Sequence, residues 1–174
     1  MAVFGPGQAD CFVYVYREGA LSAVGHDLKL RVTDFTIEVG EEASVQARFR
    51  ADSLRVVGVL RGGTVDEREP SAKDRKEIEG NIAREVLEAG RYPEIFFSSK
   101  SVESARITGS LDLHGVRRDV SFEARQEGDR WAARVPIHQP DFRIKPYRAL
   151  LGALRVKPEV VVEVSVPTEA LCRD

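Results

Sequence analysis

The sequence is short of the residues that build cofactor and metal sites. Among 174 residues it has two cysteines, three histidines, one methionine and one tryptophan. Cys11 and Cys172 stand near opposite ends, which excludes a C-x-x-C zinc site and a disulfide-rich scaffold. No run approaches the roughly 18–20 apolar residues of a membrane-spanning helix. The opening Met-Ala-Val-Phe-Gly-Pro-Gly has no basic stretch followed by an apolar one, so no secretion signal is expected. The expectation is a cytoplasmic protein with reduced thiols. A surplus of one charge is also missing. The 26 Lys+Arg and 28 Asp+Glu leave a net charge of −2, which argues against nucleic acid as the partner. The length suits a single domain over 1–174, large enough to fold without staples.

What the sequence does have is a period of two, the mark of strands with one buried face. Cys11 to Tyr16 is rich in β-formers. Leu28, Leu30 and Val32 alternate, then Phe35, Ile37 and Val39 alternate in the opposite phase. That flip predicts a bulge or bend at Thr33-Asp34. Further strands are expected around 45–51, 95–99, 107–113, 120–124, 131–137 and 160–166, most of them joined by short polar turns.

One segment has a helical period. Ser71 and Asp74 form a relaxed capping box after Pro70. Ile78, Ile82 and Val86 follow at intervals of four, and Gly90 marks the end. The chain thus reads as mainly β: an eight-stranded up-and-down antiparallel barrel with one helix inserted around 71–88, a sandwich being the alternative.

Alternating strand direction sorts the connections by end. The turns at 40–43, 103–106 and 127–130 fall at one mouth. The 18–27 turn, the 52–93 insertion, the 114–117 turn and the 139–156 segment fall at the other, where a binding site is expected. His26, His114 and His138 are expected on that rim, too scattered in sequence to share a metal. No nucleophile–base pair or carboxylate pair stands out, so neither catalytic residues nor a cofactor are expected.

The inward phase mixes large and small residues: Phe49 with Ala47 and Ala51, Leu111 with Gly109, Phe122 with Ala124, Trp131 with Ala133. This suits either a barrel filled along its taper or an elongated apolar cavity. The segment Phe142–Lys157 carries five cations and no acid around an apolar centre at 149–154. It could cap the barrel or hold an anionic headgroup or membrane surface.

Two stretches resemble a known family. Arg91-Tyr92-Pro93-Glu94-Ile95-Phe96-Phe97-Ser98-Ser99-Lys100-Ser101-Val102 is similar to the KYPEITFKSTSV signature of the YceI-like proteins. Ile107-Thr108-Gly109-Ser110-Leu111-Asp112-Leu113-His114-Gly115-Val116 is similar to that family's V-T-G-D-L-T-I-H-G-V. Val24-Gly25-His26-Asp27-Leu28 and the 156–166 strand fit too. The resemblance implies a lipocalin-like barrel around a long apolar ligand, an isoprenoid chain or related lipid. The chain departs from the family by reading Asp141-Phe142-Arg143 where Asp-Phe-Gly is common.

Together these readings give a non-enzymatic protein that binds, carries or sequesters an isoprenoid or other lipid. The alternative is a filled barrel that docks a protein. The expected tail contacts are Phe35, Phe49, Phe97, Leu111, Leu113, Phe122 and Trp131, with Phe142, Leu151 and Leu154 at the mouth. The expected headgroup contacts are His26, Arg143, Lys145 and Arg148. A transient membrane-surface contact and a homodimer complete the expected partners.

Overall fold

The computed structural model describes residues 1–19, 26–149 and 154–170. Its strands are β1 (Ala2–Phe4), β2 (Asp10–Val15), β3 (Arg17–Glu18), β4 (Asp27–Val32), β5 (Phe35–Val39), β6 (Val45–Arg50), β7 (Leu54–Arg61) and β8 (Thr64–Asp66). After the helix α1 (Ala72–Asn81) come β9 (Glu94–Glu103), β10 (Arg106–Leu113), β11 (Val116–Glu127) and β12 (Arg130–His138). Then follow β13 (Arg148–Ala149), β14 (Leu154–Val156) and β15 (Glu159–Pro167).

Twelve of these segments form one curled antiparallel sheet, and β13, β14 and β3 form a second, small one. The expectation of eight strands is corrected to twelve segments for a physical reason. Two long strands are each cut by a bend, and the short β1 and β8 are added at the flanks. The first bend falls at Thr33-Asp34, between β4 and β5, where the sequence changes phase. Opposite it, Ala51–Ser53 separates β6 from β7. The two bends are hydrogen-bonded to each other: Thr33 N–H donates to the Ser53 carbonyl at 2.9 Å and Arg50 N–H to the Asp34 carbonyl at 3.0 Å. The buried Ser53 hydroxyl donates to the Arg50 carbonyl at 2.8 Å. A bend of this kind turns Phe35, Ile37 and Val39 back to the side that Leu30 and Val32 already face, and all five are buried.

With each bent strand counted once, the pairing follows chain order. It runs from β2 through β4–β5, β6–β7, β9, β10, β11 and β12 to β15, and β15 pairs back onto β2. Gly109 is required in this wall. The ladder of β9 and β10 shifts register at Thr108/Gly109, and a Cβ on Gly109 would sit 2.5 Å from both the Phe97 ring and the Ser98 carbonyl.

The helix fills a gap in the same wall. β7 is paired on its outer side only over Val59–Arg61, by β8, and β9 reaches only as far as β6. The free edge at Val56 and Val57 is satisfied by α1 instead. Glu79 Oε1 accepts from Val56 N–H at 3.0 Å, and Arg75 donates to the Val56 and Val57 carbonyls at 3.0 and 3.3 Å. Ser71 caps the helix by accepting from Asp74 N–H at 3.2 Å, as the capping box requires. The expected helix over 71–88 is corrected at its far end. Regular α-geometry stops at Asn81, and Ile82–Val86 continues as a wider π-type turn.

Candidate ligand cavity

The curled sheet encloses a cavity of about 580 Å³. Every strand of the ring contributes alternate side chains: Cys11, Val13 and Val15; Leu28, Leu30 and Val32; Ala47 and Phe49; Phe97; Leu111 and Leu113; Val120, Phe122 and Ala124; Trp131, Ala133 and Val135; Val160, Val162, Val164 and Val166. The period of two puts these on one face of each strand. One end is covered by the helical segment, whose Ile78, Ile82, Val86 and Leu87 border the cavity. This is the apolar face seen in the sequence, where nothing marked it as a cavity wall rather than as packing against a filled core.

The polar groups gather at the edge of the cavity. Arg17 and Asp27 hold each other: Arg17 N–H donates to Asp27 Oδ1 at 2.9 Å, and the guanidinium lies at 3.5 Å. Arg155 Nε donates to Glu18 at 2.8 Å. Asn81 Nδ2 donates to the Tyr147 hydroxyl at 3.4 Å. Arg17, Arg155, Asn81, Tyr147 and the exposed His26 all border the cavity. Arg17 and Arg155 are thus already paired, each with a carboxylate.

Of the expected contacts, Phe49, Phe97, Leu111, Leu113, Phe122, Trp131 and His26 line the cavity. Others sit elsewhere. Phe35 is buried in the same core cluster with its ring 5.9 Å from that of Phe49, but it does not border the cavity. Phe142 is 3% exposed and packs with Leu113, Ile137 and Ile144, because a short 3₁₀ turn at Gln139–Phe142 folds it onto the outside of the wall. Arg143, Lys145 and Arg148 are exposed and do not border the cavity, whereas Ile144, between the first two, is buried and borders it. Leu151 and the side chain of Leu154 lie outside the described residues. Arg143 adopts φ 57°, the left-handed region that favours glycine, the residue that the family resemblance implies at this place.

The three histidines do different things. His114 is 9% exposed, and its Nδ1–H donates to the Phe142 carbonyl at 3.1 Å. Its Nε2 is hydrogen-bonded to Glu88 Oε2 at 2.7 Å, and its ring lies 4.6 Å from that of Tyr92. It joins the end of the helical segment to the β10–β11 turn and to the 139–142 turn. His138 is exposed at the end of β12. Among the described residues, no three His, Cys, Asp or Glu side chains cluster as a metal site, and no helix is long and apolar enough to cross a membrane.

Cys11 is 2% exposed in the cavity wall, and burial pushes its thiol from the usual 9.0 up to about 12. The folded protein therefore favours the neutral thiol. Its contribution to stability is fully present below pH 9.0 and is lost as the pH rises toward about 12, because only the unfolded chain ionises in that window. Iodoacetamide at pH 8 should leave Cys11 unlabelled in the folded protein and label it in urea, as peptide mass mapping would show. Labelling at equal rates in both states would contradict this burial.

The sequence matches the YceI-like domain over residues 16–168. The chain belongs to the YceI-like family. Solved structures of similar fold include Burkholderia cenocepacia BcnA, with a TM-score of 0.57 and 14% identity, covering 90% of this chain and 94% of that one. A polyisoprenoid-binding domain from Saccharophagus degradans, implicated in plant cell wall breakdown, gives a TM-score of 0.53 at 13% identity, with 91% and 95% covered. The Campylobacter jejuni YceI protein gives 0.51 at 14% identity, with 78% and 83% covered. No curated protein matches the sequence. At these identities the likeness is one of fold: other YceI-like chains curl the same kind of sheet.

Proposed function

We propose that this YceI-like protein binds one long apolar ligand, an isoprenoid or other lipid, and carries or sequesters it without chemical change. The observation that carries this reading is the cavity of about 580 Å³ with an apolar face on every strand around it. That volume falls in the range of about 300–1,000 Å³ usual for small-molecule sites. A filled barrel used for docking a protein would have no such space. The S. degradans neighbour, a polyisoprenoid-binding domain, agrees in ligand class.

In this reading the tail lies against Phe49, Phe97, Leu111, Phe122 and Trp131, and the polar end sits by His26, Asn81 and Tyr147. Because Arg17 and Arg155 are held by Asp27 and Glu18, the rim favours a neutral polar end over a phosphate. Organic extraction and mass spectrometry of the purified protein test the function. One apolar-chain compound near one per chain is expected, and the stripped protein should take up a fluorescent long-chain alcohol. Absence of both would sink the proposal. Changing Arg143, Lys145 and Arg148 to Gln should alter affinity for a prenyl alcohol and a prenyl phosphate by less than about threefold, since exposed charges contribute only about 0–1 kcal/mol. A tenfold loss confined to the phosphate would return the headgroup to those cations.

A further inference from the structure

The seam between β11 and β12 is only partly closed. Their ladder joins Ala124–Glu127 to Arg130–Ala133, four of the twelve residues of β11. From Val116 to Glu123 β11 pairs only with β10, and from Arg134 to His138 β12 pairs only with β15. Continuing the Ala124–Ala133 register puts Phe122 opposite Val135 and Val120 opposite Ile137, with no ladder pair at either place. Pro136, which has no N–H to offer, lies in this stretch. A groove runs over the outside, bordered by Arg118, Asp119, His138 and Phe142. Val120 and Ile137 border both that outer groove and the inner cavity. The wall here is one layer of two apolar side chains, with Phe142 packed against Ile137 beside it.

We propose that this seam is a side entrance through which the apolar tail of the ligand enters and leaves. The proposal rests on reading the cavity as a lipid site. Opening the seam needs new rotamers at Val120 and Ile137 and a small shift of Phe142. No strand-to-strand hydrogen bond above Ala124 has to break. Other routes meet more resistance. The remaining seams are joined by ladders or, beside β7, by Arg75 and Glu79 of α1. The helical cover is fastened at its far end by Glu88 to His114 at 2.7 Å. The seam also runs up to the His114–Val116 end of β11. A tail can therefore slide in sideways while its polar end stays in water.

The test uses the full chain with Cys172→Ser, Val120→Cys and Ile137→Cys, joined by a disulfide or a short reducible bis-maleimide. Cys11, buried and with its thiol raised to about 12, stays out of the reaction. Stopped-flow uptake and release of a fluorescent 16-carbon alcohol are measured before and after linking. Linking should slow both rates at least tenfold, leave the equilibrium affinity within about threefold, and be reversed by reductant. Independently, Val120→Ala should raise the on-rate at least threefold. Thr36→Ala, on the exposed face of the paired wall of β5 and β6, should leave the on-rate unchanged. Unchanged rates in the linked protein together with an unchanged on-rate in Val120→Ala would overturn the side entrance and leave access at the helical end. No uptake by the unmodified protein would overturn the lipid reading and the entrance with it.

Discussion

Binding of linear alcohols should tighten by about two- to fourfold for each methylene added, then stop tightening at roughly 15–20 carbons. Burying one methylene is worth about 0.8 kcal/mol, close to fourfold in affinity, and ordering a flexible chain takes back part of that. Octanol and hexadecanol should therefore differ by at least about a hundredfold. The ceiling comes from the volume. A water occupies about 30 Å³ of liquid, and a methylene is of similar size. A cavity of about 580 Å³ thus holds one chain of roughly 15–20 carbons. Methylenes beyond that stay at the rim and add little. Displacement of a fluorescent probe by the alcohol series measures both the slope and the break. An affinity independent of chain length would mean that the cavity is not the site. A slope continuing past about 24 carbons would mean that a second apolar surface takes part.

Ala133→Phe or Ala124→Phe should weaken uptake of the 16-carbon alcohol at least a hundredfold while the fold survives. Both alanines line the cavity and face each other across the last paired rung of the β11–β12 seam. A ring placed there occupies space the tail needs. The ring enters an existing void, so the cost to stability should stay at or below the roughly 1–3 kcal/mol of overpacking. For a domain of this length that is a fall in Tm of roughly 2–12 °C. Arg125→Phe is the control. It lies next to Ala124 on the opposite, exposed face of β11 and should bind as the unaltered protein does. Circular dichroism and a melting curve check the fold, and titration checks the binding. Full binding by both cavity variants would place the tail elsewhere.

Much of this protein is written in local patterns. The alternation along each strand sets which side chains share a face, because successive residues of a strand point to opposite sides. That is why Ala47, Phe49, Phe122, Ala124, Trp131 and Ala133 could be assigned to the inward set from the sequence and are found on the cavity wall. The phase change at Thr33-Asp34 foretold a bend for the same reason, and Ser71 with Asp74 set the start of the helix through a hydrogen bond between residues three apart. The signatures around Arg91–Val102 and Ile107–Val116 pointed to the family.

Long-range pairing is what local pattern leaves open. Phe35 has the same phase as Ile37, yet it packs against Phe49 and does not border the cavity, because burial on the inward face does not say whether the neighbour is a void or another ring. A run of cations at 143–148 looked like a rim. The 139–142 turn instead buries Phe142 and Ile144 and leaves Arg143, Lys145 and Arg148 in water. The partners of His114 come from Glu88 and Phe142, 26 and 28 residues away, and could not be read from its neighbours. The same holds for the seam. The period of two runs on through β11 and β12 above Ala124, and only the fold shows where their ladder stops. The sequence by itself determined which face of each strand is apolar, where the helix begins and which family the chain resembles. The tertiary structure decided that the apolar faces enclose space rather than one another, and where that space comes nearest to the outside.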